Sequence, residues 1–379
     1  GEIMIIQSKK VWIADQFTPA QLELEDGIIK EIYPYNEKEV TKDYGDLRIL
    51  PGFIDIHCHG AYGFDTNDAN PEGLRKWAKG IVDEGVTSFL ATTLTQSEEV
   101  LTNAVSNVAK VVEEGYEGAE ILGIHFEGPY LNKAHKGAQP EEYCVKPNIE
   151  QFKRYQKAAH GLIKYITMAV ENDEDYALTK YCNVVVSIGH SNATYEQAVQ
   201  AYAHGARSMT HVYNAMTPFT HRANGLVGGA LRIRNMYGEI ICDGNHSTLA
   251  ALNNFFTSKG PDYSIMITDS LMCKGFPVGT KFDFGGQEVV IYPDGSAHLV
   301  EAGNLAGSTL NVNKGLKILI EDALVPVNYA INACTSNPAR CLHVDDRKGT
   351  IGVGYDADLV VLDRDYEVVQ TYCKGIGQK

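Results

Sequence analysis

Cations are scarce in this sequence, and nowhere do they cluster. Lys and Arg together number 33 against 48 Asp and Glu, a formal charge of -15. A surface of that sign repels phosphate backbones and anionic lipids, so neither nucleic-acid binding nor a polybasic membrane anchor is expected. Long apolar runs are missing too. No stretch approaches the ~20 apolar residues that a membrane helix needs, and no basic-then-apolar leader opens the chain. The eight cysteines are dispersed, with no C-x-x-C pair among them. That pattern does not call for a disulfide framework and points to a reducing cytoplasm. Internal repeats and low-complexity tracts are absent as well. If the substrate is an anion, a few local cations must hold it against the general field.

What remains is an ordinary globular composition, 44% hydrophobic and 21% charged over 379 residues, enough to bury a sizeable core. The length suggests two domains, or one large barrel with an appendage. The first fifty residues read as short β elements: Ile3-Met4-Ile5-Ile6, Val11-Trp12-Ile13 and Leu22-Glu23-Leu24, with a hairpin signal at Asp26-Gly27 before Ile28-Ile29. The far end has the same texture, in Asp358 to Asp363 and Val368-Val369. Neither end alone can close a core. Residues 1–50 and 345–379 are therefore expected to form one small β-sandwich domain built from both termini.

The middle, residues 51–344, alternates Val- and Ile-rich runs with stretches of helical period, the pattern of repeated βα units. Eight runs are expected as strands, at 53–57, 88–91, 121–125, 165–169, 184–188, 207–211, 239–242 and 264–268. Their span approaches the ~250 residues of a (β/α)₈ TIM barrel. An open doubly wound sheet is the alternative, but the glycine fingerprint expected after its first strand is missing.

Chemistry in such a barrel sits at the carboxyl ends of the strands. The first run ends in His57-Cys58-His59, and strand alternation turns both imidazoles to one side. The third ends in Glu127, the fifth in His190, the sixth in His211 and the eighth in Asp269. A lone histidine after an apolar run is more often a hydrogen-bonded core residue than a ligand. Several donors at the one end where ligands belong argue instead for a divalent ion held by N and O atoms, zinc and iron among the candidates. His125 lies deeper and reads as barrel filling or as a residue behind the ligands. His246 follows the seventh run at the active end. Arg222, in the loop after the sixth, is an expected anion contact. His135, His160, His204, His298 and His343 read as solvated or structural.

These residues resemble a known family. Gly52-Phe53-Ile54-Asp55-Ile56-His57-Cys58-His59-Gly60 is similar to the opening signature of the amidohydrolase superfamily. Its closing signature resembles Asn337-Pro338-Ala339, Lys348-Gly349-Thr350-Ile351 and Gly354-Tyr355-Asp356-Ala357-Asp358. Within it, the stretches at 125–132, 189–193, 211–216 and 305–308 resemble the N-acetylglucosamine-6-phosphate deacetylase family. The resemblance implies metal-dependent hydrolysis of the acetamide of that sugar phosphate, in amino-sugar catabolism and cell-wall sugar recycling, or of an epimer such as N-acetylgalactosamine 6-phosphate. It implies Glu127, His190 and His211 as ligands and Asp269 as the catalytic carboxylate. Both His57 and His59 are present, which admits one ion or two. It implies further that the backbone at Asn214 and Ala215 meets the phosphate, that Arg222 and His246 contact phosphate and sugar, and that a homodimer supplies part of that site. Gln139 stands where many relatives carry a carbonyl-polarising histidine. The segment Ser270 to Gly275 differs from the family's small-residue loop and is expected over the sugar pocket.

Cyclic-amide hydrolases and nucleobase deaminases on this barrel typically use a lysine or further histidines where this chain has Glu127. A non-catalytic scaffold would have lost ligands, and here all six positions are filled.

Overall fold

The computed structural model describes residues 1–379 and contains eight parallel strands in one sheet: Phe53–Cys58, Val86–Thr93, Glu120–Glu127, Ile163–Met168, Val185–Ile188, Ser208–Met209, Tyr237–Ile241 and Ser264–Ile267. All eight expected strands are present, and each pairs with its sequence neighbour. Between the eighth and the first, Asp269 N–H donates to the His57 carbonyl and His59 N–H to that of Ser270, each at 2.8 Å. The barrel closes there, at residues expected to carry the chemistry. Its strands are apolar on both faces because helices cover the outside and side chains fill the inside.

The two ends of the chain share a second, mixed sheet. Its hydrogen-bonded order runs Ile376–Gly377, Val368–Cys373, Leu359–Leu362, Arg48–Pro51, Met4–Ile13, Gln16–Glu25 and Ile28–Pro34, with Lys42–Asp43 beside Met4–Ile13. The layers of the expected sandwich are thus one continuous sheet bent around Ile6, Leu22, Ile49, Leu359 and Val361, all buried. The Tyr44 and Tyr372 hydroxyls, 2.6 Å apart, join its halves. Asp26 and Gly27 both have positive φ, 54° and 79°, as a two-residue hairpin requires. The expected elements at Ile3–Ile6 and Val11–Ile13 are one strand, not two. An irregularity in pairing between Ser8 and Val11 absorbs the polar Lys9-Lys10 pair that had looked like a turn.

A third sheet was not expected. Lys281–Phe284, Gln287–Ile291, Ala297–Leu299 and Leu305–Gly307 form an antiparallel meander inserted after the eighth barrel strand, and His298 lies on one of its strands rather than in a loop or helix. It packs on Leu94, Ala138 and Leu271 beside the barrel mouth. Ser308 N–H donates to the Asp269 carbonyl at 2.9 Å, and Leu271 N–H to the Ser308 carbonyl at 3.0 Å. The meander is thereby stitched to the segment behind Asp269.

Candidate metal centre and active site

Only His57 and Glu127 among the expected donors sit within regular strand; His190, His211 and Asp269 lie just past strand ends. All three of the latter adopt positive φ, at 48°, 27° and 50°. That conformation costs a non-glycine residue of order 1–3 kcal/mol and persists only where the surroundings enforce it. Here it turns each side chain from the strand direction inward across the mouth. Simple strand alternation would not have aimed them so.

The six side chains converge. His57 Nε2 lies 3.4 Å from Glu127 Oε2 and 3.2 Å from Asp269 Oδ1. His59 Nε2 lies 3.0 Å from Glu127 Oε1 and 3.2 Å from Asp269 Oδ1. His190 and His211 approach Glu127 Oε2 at 3.3 and 3.4 Å. Glu127 is therefore shared by two groups of donors, one with His57, His59 and Asp269, the other with His190 and His211. All six are buried.

The donor chemistry fits a divalent cation. His57 Nε2 and Glu127 Oε2 are buried without a hydrogen-bond partner, while the Nε2 atoms of His190 and His211 face each other at 3.1 Å. Nitrogen ligands at ~2.0–2.1 Å in tetrahedral array stand about 3.3 Å apart, close to the separations within this cluster. The titration behaviour agrees. Burial alone would lower the pKa of His57, but Glu127, Asp269 and Glu239 outweigh it and hold it well above the ordinary value. His59 is likewise raised, against its burial, to about 9 by Asp269 and Glu127. Burial opposes ionisation of Asp269 and Glu127 too, yet His57 and the other imidazoles keep both pKa values low. Carboxylates that draw protons onto the imidazoles of His57, His59 and His211 will draw a dication in their place.

Three imidazoles are oriented from behind. His190 Nδ1–H donates to the His135 carbonyl at 2.8 Å, and His211 Nδ1–H to that of Asn214 at 3.0 Å. His57 Nδ1–H donates to Glu239 Oε1 at 2.8 Å. Such partners fix which ring nitrogen offers its lone pair. His59 Nδ1 has none. His125 is no ligand: its nitrogens meet the Ile56 carbonyl at 2.9 Å and Thr167 Oγ1 at 2.6 Å, and burial lowers its pKa to about 3. It fills the barrel beneath His57, as expected.

Above the donors lies a cavity of about 340 Å³, large enough for a small metabolite. Gln139, Asn214, Ala215 and His246 line it together with His59, Glu127, His190, His211 and Asp269. Gln139 donates Nε2–H to Glu127 Oε1 at 2.9 Å and accepts the Thr95 N–H at 3.0 Å. One amide N–H is thus committed to a carboxylate of the donor cluster. The His246 ring is held through Nδ1 by Asp243 at 2.8 Å.

One expectation needs correction. The Ser270 to Gly275 segment does not line the cavity. Lys274 is drawn under the barrel mouth by Glu84, at 2.7 Å, and by the Leu310 carbonyl, at 3.1 Å. The wall comes instead from the unforeseen meander, through Phe284, Asn304, Leu305 and Ala306. Arg222 is exposed and lies outside the cavity lining of its own chain. Glu239 was missed altogether, although a lone carboxylate inside the apolar run 239–242 was the available signal.

The amidohydrolase family model matches residues 48–376. The N-acetylglucosamine-6-phosphate deacetylase of Bacillus subtilis (strain 168) is 41% identical over 348 residues, 90% of this chain and 87% of the relative. The N-acetylgalactosamine-6-phosphate deacetylase of Escherichia coli O157:H7 is 32% identical over 367 residues, 96% and 95% of the two chains. Among solved structures, a variant N-acetyl-D-glucosamine-6-phosphate deacetylase from Mycobacterium smegmatis, in complex with N-acetyl-D-glucosamine-6-phosphate, superposes with a TM-score of 0.94 over 100% of both chains at 27% identity. The enzyme from Pasteurella multocida gives 0.92 over 99% of each at 29%. A family model that spans the whole barrel and the C-terminal strands of the terminal sheet leaves one assignment, that this chain belongs to the amidohydrolase family.

Proposed function

We propose that this chain hydrolyses the acetamide of N-acetylglucosamine 6-phosphate, giving glucosamine 6-phosphate and acetate. The observation that carries the reading is Asp269 Oδ1 standing 3.2 Å from the Nε2 atoms of both His57 and His59 at the floor of a cavity open to a small ligand. The like-folded relative with that sugar phosphate bound supports the choice of substrate. The higher identity to the glucosamine-type enzyme than to the galactosamine-type one favours the first epimer.

His57, His59, Glu127, His190, His211 and Asp269 would hold a divalent ion, zinc or iron and as one ion or two, which would supply Lewis acidity toward the attacking water and the acetyl oxygen. Everything else falls to the chain. Asp269, kept ionised among imidazoles, takes a proton from the attacking water as the C–O bond forms. It returns that proton to the sugar nitrogen as the C–N bond breaks, because an amide anion is too basic to leave. Gln139 braces Glu127 and lends its second N–H to the developing oxyanion, with His246 on the sugar side. The Asn214-Ala215 backbone receives the phosphate. Arg222 of the partner subunit in a homodimer completes that clamp, which explains a guanidinium exposed on its own chain; an Arg–phosphate pair is how an acidic protein retains an anion. The β-rich domain of residues 1–50 and 345–379 buttresses the catalytic domain of 51–344. A cytoplasmic setting suits the eight free thiols, and no helix is long and apolar enough to cross a membrane.

Acetate release from metal-replete protein tests the reading. N-acetylglucosamine 6-phosphate should be preferred over its galactosamine epimer and over the unphosphorylated sugar. Preference for the epimer would move the assignment to the other sugar. Arg222→Ala should raise KM for the phosphorylated sugar far more than for the unphosphorylated one, and equal effects would remove the clamp.

A further inference from the structure

Glu239 is a carboxylate buried to 0% exposure within the seventh barrel strand, two residues before the cavity-lining Ile241 and not itself part of the lining. One of its oxygens serves two ligand-bearing segments. Oε1 accepts the His57 Nδ1–H at 2.8 Å and the His211 backbone N–H at 3.2 Å. The neighbouring Val212 N–H donates to the Glu239 carbonyl at 2.8 Å. His211 has a φ of 27°, and these two bonds hold the backbone in that conformation. The His57 ring is boxed in beneath by His125, with ring centroids 4.5 Å apart.

A buried ionised carboxylate with one imidazole partner is costly unless its charge is used. Its use here is directional. A proton on His57 Nδ1 leaves the Nε2 lone pair for the space between Glu127 and Asp269. His59, on the same side of the cluster, has no partner behind it and cannot pin that half alone.

We infer that Glu239 is a positioning residue that fixes the His57 tautomer and, through it, controls cation affinity in the half of the cluster formed by His57, His59, Glu127 and Asp269. It touches neither substrate nor reacting atoms. The inference rests on the reading of the cluster as a metal centre and adds which side chain governs one half of it.

Chelated protein titrated with zinc against a chromophoric competitor tests the inference. Glu239→Gln preserves volume but can present either an oxygen or an N–H to His57. It should weaken zinc binding about 10- to 100-fold, the usual cost of losing a partner behind a ligand, measured on chelated protein whose cooperative melting transition shows it to be folded. In a His57→Ala background the same substitution should have no further effect on affinity. Unaltered affinity in Glu239→Gln, or an equal loss in both backgrounds, would overturn the inference. Nitrogen-15 spectra of the zinc-loaded wild type give a check that needs no variant: His57 should carry its proton on Nδ1, and a proton on Nε2 would refute the proposal. Wild type that takes up no zinc, iron or other divalent ion would instead bring down the metal reading itself.

Discussion

The two halves of the donor cluster are built differently. His190 and His211 are oriented by backbone carbonyls, those of His135 and Asn214, which no side-chain substitution removes directly. His57 is oriented by a side chain, Glu239, and His59 by nothing. Backbone support comes with the fold, whereas side-chain support can be altered one residue at a time. The first half should therefore hold its ion robustly, and the second should be the adjustable one. Glu127 belongs to both and couples them.

The largest expected effect lies in the adjustable half. Asp269→Asn should lower kcat by about 10²- to 10⁴-fold, the range for losing a positioned acid–base group, while metal analysis finds an ion still at His190 and His211. Near wild-type turnover would strip Asp269 of its role. Next comes the segment behind Asp269, anchored by the buried Lys274–Glu84 pair. Glu84→Gln strands the ammonium and should cost about 3–5 kcal/mol by denaturant titration; a surface-like loss below 1 kcal/mol would mean that the pair does not anchor the mouth. Metal counts per chain sharpen the comparison further. His211→Ala should lose the tightly held ion, whereas His59→Ala should lose only the weaker one; equal losses would erase the distinction between the halves.

The smallest effect is a pH dependence. In chelated protein the folded-state pKa of His59 stands at about 9, above the ordinary 6.5. Its stabilising contribution is complete below 6.5 and disappears as pH rises through 9. The melting temperature of chelated protein should therefore fall across that window, and that of metal-loaded protein should stay flatter, because the ion displaces the proton. Parallel curves would contradict the account.

Much of this was legible in the sequence because barrel strands buried on both faces announce themselves as uninterrupted Val- and Ile-rich runs, and because strand ends are where donors accumulate. His57, His59, Glu127, His190, His211 and Asp269 could be named for that reason. The meander at 281–307 was not foreseen: its strands are short and half-polar, and Gly285-Gly286 and Asp294-Gly295, both turn signals, went unused beside the stronger barrel pattern. The fate of Lys274 was illegible for another reason, since its partner Glu84 is 190 residues away and only the closed barrel brings the two together. The single early strand at Met4–Ile13 shows that a lysine pair can pass for a turn when an irregularity in pairing carries it to solvent.

The central claim is that these donors collect a divalent ion and that deacetylation depends on it. Acetate release from N-acetylglucosamine 6-phosphate, followed on one preparation before chelation, after it and after add-back of zinc or iron, tests that claim most directly. Release should fall in step with the metal content and return with it. Release that survives complete removal of the ion, or none from fully loaded protein, would contradict the account.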